Sequence, residues 1–210
     1  MANIRVVVLD YGASNLRSVA KAFERMGYKA VISGSPGDVN GADAVVLPGQ
    51  GAAAQAMDGL RTRSLVDPLN RFIADGGPFF GVCMGLQLLF EFSEEEDQEC
   101  LALLSGKVKR LPPDVKVPHM GWNQVAQETP SPLFDGIPDH SYFYFVHSYY
   151  PVPQDPSVVI GQTEYSTTFC SAIARDNLVA TLFHPEKSGD LGLHLYDNFV
   201  KYWVRGERWR

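Results

Sequence analysis

Cys83 has the surroundings that a reactive thiol needs. It stands in Gly-Val-Cys-Met-Gly, directly after the apolar residues 78–82. A nucleophile held on a sharp turn between a strand and a helix requires small neighbours, and Gly81 and Gly85 flank Cys83 at minus two and plus two. A side chain held in this way stands above the carboxyl edge of a sheet, where open α/β folds bind their ligands. The alternative at this point is a packed core thiol with incidental glycines.

His184 and Glu186 are the residue types that would activate such a thiol. They belong to His-Pro-Glu-Lys-Ser-Gly, which follows residues 178–183 (LVATLF), a predicted strand. Pro185 favours extended backbone angles for His184, and residues two apart in an extended segment face the same way. We therefore expect the Glu186 carboxylate to hold the imidazole in the tautomer whose free nitrogen faces the thiol. A loop histidine beside a surface glutamate is the alternative.

Gly49, Gln50 and Gly51 form the third stretch of residues that could take part in a reaction. They follow residues 44–47, a predicted buried strand. Two glycines separated by one residue let backbone N–H groups approach a ligand closely, as an oxyanion site requires. A common Pro-Gly turn would explain the same residues. A parallel sheet, however, brings the ends of these strands to one edge, and three coincident signals favour an active site there.

The elements that must position these residues follow a strand–helix alternation. We predict strands at residues 4–9, 29–32, 44–47 and 78–82. One helix is capped by Ser14 or Asn15, and another starts at Met84 and runs to Phe90, where its N-terminus would favour a thiolate at Cys83. This order predicts an α/β fold with a doubly wound, mostly parallel sheet flanked by helices.

The second half of the chain has a different pattern. From Ser105 onward, short β-rich segments predict antiparallel additions to the sheet or a small second sheet, closed by a helix over residues 191–204. The acidic run at residues 93–99 is interpreted as a solvated loop without a function. No linker or repeat divides the chain, and residues 1–210 are expected to form a single domain.

Composition limits the classes of function. The net charge is −6 and no Lys/Arg cluster occurs, which argues against nucleic-acid binding. No apolar run reaches the length of a membrane span, and the first residues do not resemble a secretory signal. Cys83, Cys100 and Cys170 lack metal-ligand spacing. We therefore expect no metal or cofactor, and reduced thiols in a cytoplasmic protein.

With GVCMGLQ and FHPEKSG, the sequence resembles the class I (triad) glutamine amidotransferases. The resemblance implies their fold and the hydrolysis of glutamine to glutamate and ammonia through a cysteine thioester. It makes Cys83 the nucleophile, His184 the general base and acid, and Glu186 its orienting partner. It also implies that Gly49, Gln50 and Gly51 form the oxyanion strand and that Gln87 lines the glutamine pocket. The oxyanion strand is expected to rest with its amide turned away until a partner is occupied.

Three further stretches, DYGASNLRSV, PHMGWN and YFVHSYY, resemble the member that serves histidine biosynthesis. This resemblance implies a heterodimer with a cyclase subunit of (β/α)8-barrel fold, which receives the ammonia. The expected docking residues are drawn from two of these stretches: Tyr11, Asn15, His119, Met120, Trp122 and Asn123. Trp122 offers an aromatic anchor of the kind common at interface centres, although a core position is the alternative.

Two other functions remain open at this stage. The chain could feed ammonia to a different synthase, or it could be a non-catalytic binding module on the same fold. Two departures from the family pattern are Gln50-Gly51-Ala52-Ala53 at the oxyanion strand and Leu182 before the His-Pro-Glu segment. Neither departure removes a catalytic atom. His147 is interpreted as a hydrogen-bonded structural residue near the site, and Cys100 and Cys170 as packing thiols.

Overall fold

The elements of the fold are distributed unevenly along the chain. The structure, a computed structural model, describes residues 4–209. The first half alternates strands with the helices α1 (Leu16–Arg25), α2 (Pro36–Asn40), α3 (Ala53–Thr62), α4 (Val66–Ala74) and α5 (Met84–Gln87). The second half is mainly β-structure, and it ends with α6 (Gly189–Phe199) and a π-helical turn over Val200–Val204.

The strands are β1 (Arg5–Leu9), β2 (Lys29–Ser33), β3 (Ala44–Leu47), β4 (Phe79–Val82), β5 (Phe92–Ser93), β6 (Gln98–Glu99), β7 (Gly106–Arg110), β8 (His119–Gln127), β9 (Ser141–His147), β10 (Tyr149–Pro153), β11 (Val159–Tyr165), β12 (Thr167–Arg175) and β13 (Leu178–Thr181).

One large sheet holds both kinds of pairing. Its nine strands run in the order β2-β1-β3-β4-β13-β12-β11-β8-β9. The strands from β2 to β13 pair in parallel, and those from β13 to β9 pair antiparallel. A second sheet has the order β10-β7-β5-β6. Both alternatives expected for the second half, antiparallel additions and a small second sheet, are therefore present.

The central strands are buried because their residues are apolar and β-branched. β1, with sequence RVVVL, is fully buried from its second residue onward, as a strand covered on both faces should be. Helices α1 and α6 pack beside β4 through aromatic rings. Tyr196 of α6 lies 4.7 Å from Phe23 of α1 and 5.2 Å from Phe80 of β4, measured between ring centroids. This packing fixes the strand that leads to Cys83.

The structure differs from the sequence-based prediction at two element ends near the site and in one additional strand. The helix after Cys83 ends at Gln87 instead of Phe90, because the carbonyls of residues 88–90 accept hydrogen bonds from the N–H groups of residues 101–104. The strand before His184 ends at Thr181. Strand β8 was not predicted, since its exposed Met120 and Trp122 obscure the usual alternation of apolar and polar residues.

Candidate active site

Cys83 occupies a strained turn between β4 and α5. Its backbone angles are φ 52° and ψ −100°, a conformation that L-residues rarely adopt and that concentrates at functional sites. A Cβ at Gly81 would lie 2.7 Å from the Gly85 carbonyl oxygen, and one at Gly85 would lie 1.9 Å from that of Leu47. Only glycines fit at these two positions. The surroundings of Cys83 are those predicted for a nucleophile, although a one-turn helix adds little dipole to stabilise its thiolate.

His184 and Glu186 are hydrogen-bonded to each other just beyond β13. The distance from His184 Nδ1 to Glu186 Oε1 is 2.9 Å, and both side chains are almost fully buried. His184 itself has extended backbone angles, as predicted, but the segment does not stay extended, because Pro185–Lys187 forms a 3₁₀ turn. The pairing was expected, but it arises from this turn rather than from a β-conformation.

Further contacts hold this pair in place. Asn15 Nδ2 donates to Glu186 Oε1 at 2.8 Å, and the hydroxyl of Tyr196 approaches Oε2 at 3.4 Å. The backbone N–H of His184 donates to the Tyr144 carbonyl at 2.9 Å. These bonds fix the proton on Nδ1 of His184 and leave Nε2 as the reactive nitrogen.

The charge state of His184 reflects opposing influences. Burial by itself lowers its pKa, but the neighbouring Cys83 and then Glu186 outweigh burial and raise the pKa to about 10. Nε2 of His184 is buried and forms no hydrogen bond of normal geometry with another described group. Cys83 Sγ instead makes a long contact of 3.8 Å with the Val146 carbonyl. The raised pKa keeps the His184 imidazolium charged at neutral pH beside Cys83, and the contact between them can tighten when substrate enters.

Gly49, Gln50 and Gly51 lie beside the Cys83 turn, as the sequence predicted. A Cβ at Gly49 would come within 2.3 Å of Met84 Cβ, so this residue must also be glycine. Gly51 has φ +109°. Gln50 turns its side chain outward, where Oε1 accepts from Ser14 Oγ at 3.0 Å. Within residues 4–209, the backbone N–H groups of Gln50 and Gly51 donate to no protein acceptor, which leaves two candidate donors at the site.

These residues share a pocket of about 440 Å³. Cys83, Gln87 and the glycine segment lie along it, and residues 146–149 also form part of its wall. Gln87 is buried and its Oε1 has no hydrogen-bond partner among the described residues. The pocket is large enough for one amino-acid side chain and its α-carbon substituents.

Glu95 is a pocket residue that the sequence interpretation missed. It lies in the acidic run that was interpreted as a solvated loop, and that interpretation is wrong for this residue. Its Oε2 accepts from the Ala53 N–H at 2.9 Å, and burial raises its pKa. No pattern in the sequence separates Glu95 from its exposed neighbours, because the side chain is placed by a 3₁₀ turn over Glu95–Asp97.

The expected docking residues divide into two groups. Met120 and Trp122 are exposed, at 62% and 56%, so the alternative of a core position for Trp122 is wrong. Asn123 is half-buried, and its Nδ2 donates to the Glu164 carbonyl. Met120 also lines the pocket, which therefore opens toward this exposed part of β8.

Three of the expected docking residues are placed elsewhere. Tyr11 is buried, and its hydroxyl donates to the Pro48 carbonyl at 2.8 Å, beneath the glycine segment. Asn15 uses its side chain on Glu186. His119 is buried because it lies on the inner face of β8, opposite in direction to Met120. Tyr11 and His119 therefore support the site from within and are not available as surface contacts, whereas Asn15 is partly exposed and stays a predicted docking residue.

Other predictions concern groups away from the triad. His147 is buried and hydrogen-bonded at the pocket wall, as predicted. Burial raises the pKa of Cys100 to about 11 and that of Cys170 to about 12, so both thiols stay protonated at neutral pH.

Among residues 4–209, no cluster of three or more His, Cys, Asp or Glu side chains could hold a metal ion. No helix of this part of the chain is long and apolar enough to cross a bilayer.

A family comparison agrees with the fold. The model of the class-I glutamine amidotransferases matches residues 7–202. This chain belongs to that family.

Curated relatives share sequence over nearly the whole chain. Those from Dehalococcoides mccartyi (strain ATCC BAA-2266 / KCTC 15142 / 195), Syntrophotalea carbinolica and Moorella thermoacetica are 47%, 48% and 50% identical to it. The alignments cover 92–93% of this chain and 96%, 98% and 93% of the relatives. All three are described as imidazole glycerol phosphate synthase subunit HisH.

Solved structures support the fold at lower sequence identity. PurLQS from Thermotoga maritima superposes with a TM-score of 0.76 at 16% identity, covering 95% of this chain and 99% of that one. The glutaminase domain of Trypanosoma brucei CTPS gives 0.68 at 16% identity, with coverage of 99% and 96%. At this level of identity these similarities concern the fold alone.

Proposed function

We propose that this chain is the glutaminase subunit of imidazole glycerol phosphate synthase, in histidine biosynthesis, and that residues 1–210 form one glutaminase domain. The observation that carries the proposal is the arrangement of Cys83, His184 and Glu186, in which Cys83 lines an amino-acid-sized pocket. The curated relatives, which match over more than nine-tenths of the chain, support the choice of synthase. A non-catalytic binding module would not require the strained Cys83 turn.

The first chemical step is attack of the Cys83 thiolate on the side-chain amide carbon of glutamine. The carbonyl oxygen then becomes an oxyanion. The oxyanion needs hydrogen-bond donors, and the free backbone N–H groups of Gln50 and Gly51 are suited to this role. Loss of one such donor typically lowers kcat by about 10²–10³-fold. An outward amide at rest, as the family resemblance implies, would have to turn before this step.

His184 then moves the protons. Its imidazolium donates the Nε2 proton to the leaving nitrogen, and ammonia departs from the thioester. Neutral His184 next accepts a proton from water as the water attacks the thioester, which releases glutamate and restores Cys83. Glu186 orients and stabilises the imidazolium through the 2.9 Å bond to Nδ1.

Recognition of the substrate falls to the polar groups that remain in the pocket. The Glu95 carboxylate suits the α-ammonium group of glutamine, since it is the acidic side chain on the pocket wall among the described residues. The unpartnered Oε1 of Gln87 is a further acceptor for an N–H group. Together they select an amino acid with an amide side chain.

The partner is a cyclase subunit with a (β/α)8-barrel fold, and it docks on the surface formed by Met120 and Trp122, which we call the β8 patch. Met120 belongs both to this surface and to the pocket wall, so ammonia released at Cys83 can pass to a docked partner. Ammonia in bulk water at neutral pH is mostly protonated and no longer nucleophilic. We also infer a cytoplasmic location, which the three free cysteines support.

Replacement of the nucleophile tests the proposal. The Cys83→Ala variant, assembled with the cyclase, should lose glutamine-dependent formation of imidazole glycerol phosphate. It should keep the reaction when an ammonium salt replaces glutamine. Loss of the ammonia-dependent reaction in a correctly assembled complex would contradict this division of labour, and retention of glutamine hydrolysis would contradict the role of Cys83.

A further inference from the structure

Two buried histidines face each other at one end of the β8–β9 ladder. His119 is the first residue of β8 and pairs in register with His147, the last residue of β9. His119 Nδ1 and His147 Nε2 are 2.9 Å apart. Neither ring takes part in the chemistry described above, and both rings are about 4% exposed.

The neighbours of the pair determine which nitrogen carries each proton. His147 Nδ1 lies 3.0 Å from the Tyr149 carbonyl, which can only accept, so this nitrogen donates. His147 Nε2 is then the acceptor for the Nδ1–H of His119. His119 Nε2 in turn accepts from Asn123 Nδ2 at 3.3 Å. The result is one directed chain of hydrogen bonds: Asn123 to His119, His119 to His147, and His147 to Tyr149.

The surroundings keep this chain neutral and rigid. Burial lowers the pKa of His119 to about 4, and burial followed by the charge of His119 lowers that of His147 to about 3. The His119 ring stacks on Tyr165 with 4.0 Å between centroids and on Phe145 at 5.1 Å. If His147 were protonated, its Nε2 could no longer accept the hydrogen bond from His119. The neutral state of the two rings therefore preserves the direction of the hydrogen bonds.

The chain ends at the wall of the active pocket. Val146, the residue before His147, offers the carbonyl that contacts Cys83 Sγ at 3.8 Å. Val146, His147 and Tyr149 all line the pocket. At the other end, Asn123 follows Trp122 on the strand that carries the β8 patch.

We propose that His119 and His147 are positioning residues for the glutaminase reaction: their hydrogen bond holds the Val146 carbonyl and the adjoining pocket wall against Cys83 and ties that wall to β8. The inference rests on the proposed role of Cys83 as nucleophile. It assigns a function to two histidines that make no contact with the reacting atoms.

The test compares two replacements of His119 in the complex with the cyclase. His119→Phe keeps a stacking ring but removes the donor to His147, and kcat for glutamine hydrolysis should fall about 10- to 100-fold with KM changed less than threefold. His119→Asn can place an amide N–H where Nδ1–H was, and it should recover most of the lost kcat. Gln124→Ala, an exposed neighbour on β8, is the control and should match the parent.

Two measurements separate positioning from stability. NMR of the imidazole protons should show a slowly exchanging Nδ1–H signal for His119 at neutral pH, absent in His119→Phe. If His119→Phe does not fold, Asn123→Ala serves instead, since it frees His119 Nε2 to take the proton and should also lower kcat.

The outcomes are distinct from those for the proposed function. Equal kcat in His119→Phe and the parent overturns the positioning role, and so does a lower melting temperature in both His119 variants with kcat unchanged in the folded fraction. In either case a strict requirement for Cys83 would leave the proposed function standing.

Discussion

His184 shows how a buried imidazole can remain charged at neutral pH. Its pKa of about 10 depends on Cys83 more than on Glu186, against a burial effect that lowers it. We therefore predict that Cys83→Ala lowers the pKa of His184, because the largest influence that raises it is gone. An NMR titration of the imidazole nitrogens measures the change directly.

The same pKa has a consequence for stability. A group whose pKa is raised in the folded state, here from about 6.5 to about 10, stabilises the fold fully below the lower value and loses this effect as pH rises through the higher one. The difference in unfolding free energy between parent and Cys83→Ala should shrink between pH 7 and pH 10. A His184 pKa that is unchanged in the variant would contradict the influence of Cys83 on His184.

Glu95 is expected to act on binding rather than on chemistry. Replacement by Gln removes the charge that we propose binds the substrate ammonium but keeps the acceptor for the Ala53 N–H. A charged hydrogen bond contributes about 1.5–3 kcal/mol, so KM for glutamine should rise about 10- to 100-fold with a smaller change in kcat. Glu96→Gln, at an exposed neighbouring position, is the matched control. Similar KM values in both variants would remove Glu95 from the substrate site.

At the level of residues, the sequence predicted those groups whose role is indicated by residues close to them in the chain. Cys83 between two glycines and His184 near Glu186 are of this kind. Glu95 and the bond between His119 and His147 were not predictable, because the partners are far apart in sequence. They meet only through a 3₁₀ turn in one case and strand register in the other.

At the level of elements, the turn after β4 depends on close backbone contact between α5 and β3. A methyl group at Gly85 would meet the Leu47 carbonyl oxygen at 1.9 Å, so β3 or α5 must move. Gly85→Ala should lower the free energy of unfolding by about 1–3 kcal/mol, measured by urea denaturation, and should reduce kcat by shifting the glycine segment after β3.

Gly37→Ala provides the matched control for this substitution. Gly37 lies in α2, and a Cβ there would be 3.7 Å from Ser35 Oγ, an ordinary contact. Alanine is the better helix former, so the variant should be unchanged or up to about 1 kcal/mol more stable. A Gly85→Ala protein as stable as this control would show that β3 and α5 can separate freely.

Strands and helices with a clear apolar pattern were predicted most accurately. The parallel strands β1, β3 and β4 are continuous apolar runs and were predicted within one residue at each end. The helix after Cys83 was predicted too long, because apolar residues 88–90 suit a helix but give their carbonyls to residues 101–104. That competition depends on tertiary structure and leaves no trace in a local pattern.

At the level of the whole molecule, the β8 patch is the surface on which we propose that the cyclase docks. Trp122 is 56% exposed, so its replacement by Ala should leave the melting temperature nearly unchanged. If it anchors the interface, affinity for the cyclase should fall by about 2 kcal/mol or more, roughly 30-fold, in a titration. Trp209→Ala, in an exposed C-terminal position, is the control and should bind normally. Equal affinities would place the interface on another surface.

The position of β13 in the large sheet bears on how the protein is made. β13 lies between β4 and β12, so the last strand of the chain completes the middle of the sheet. During translation, Cys83 leaves the ribosome about a hundred residues before His184. A nascent chain therefore carries a thiol without its base, and it can release no ammonia until His184 and Glu186 have also been synthesised. The topology itself delays the activity until β13, which leads to His184, has paired with β4.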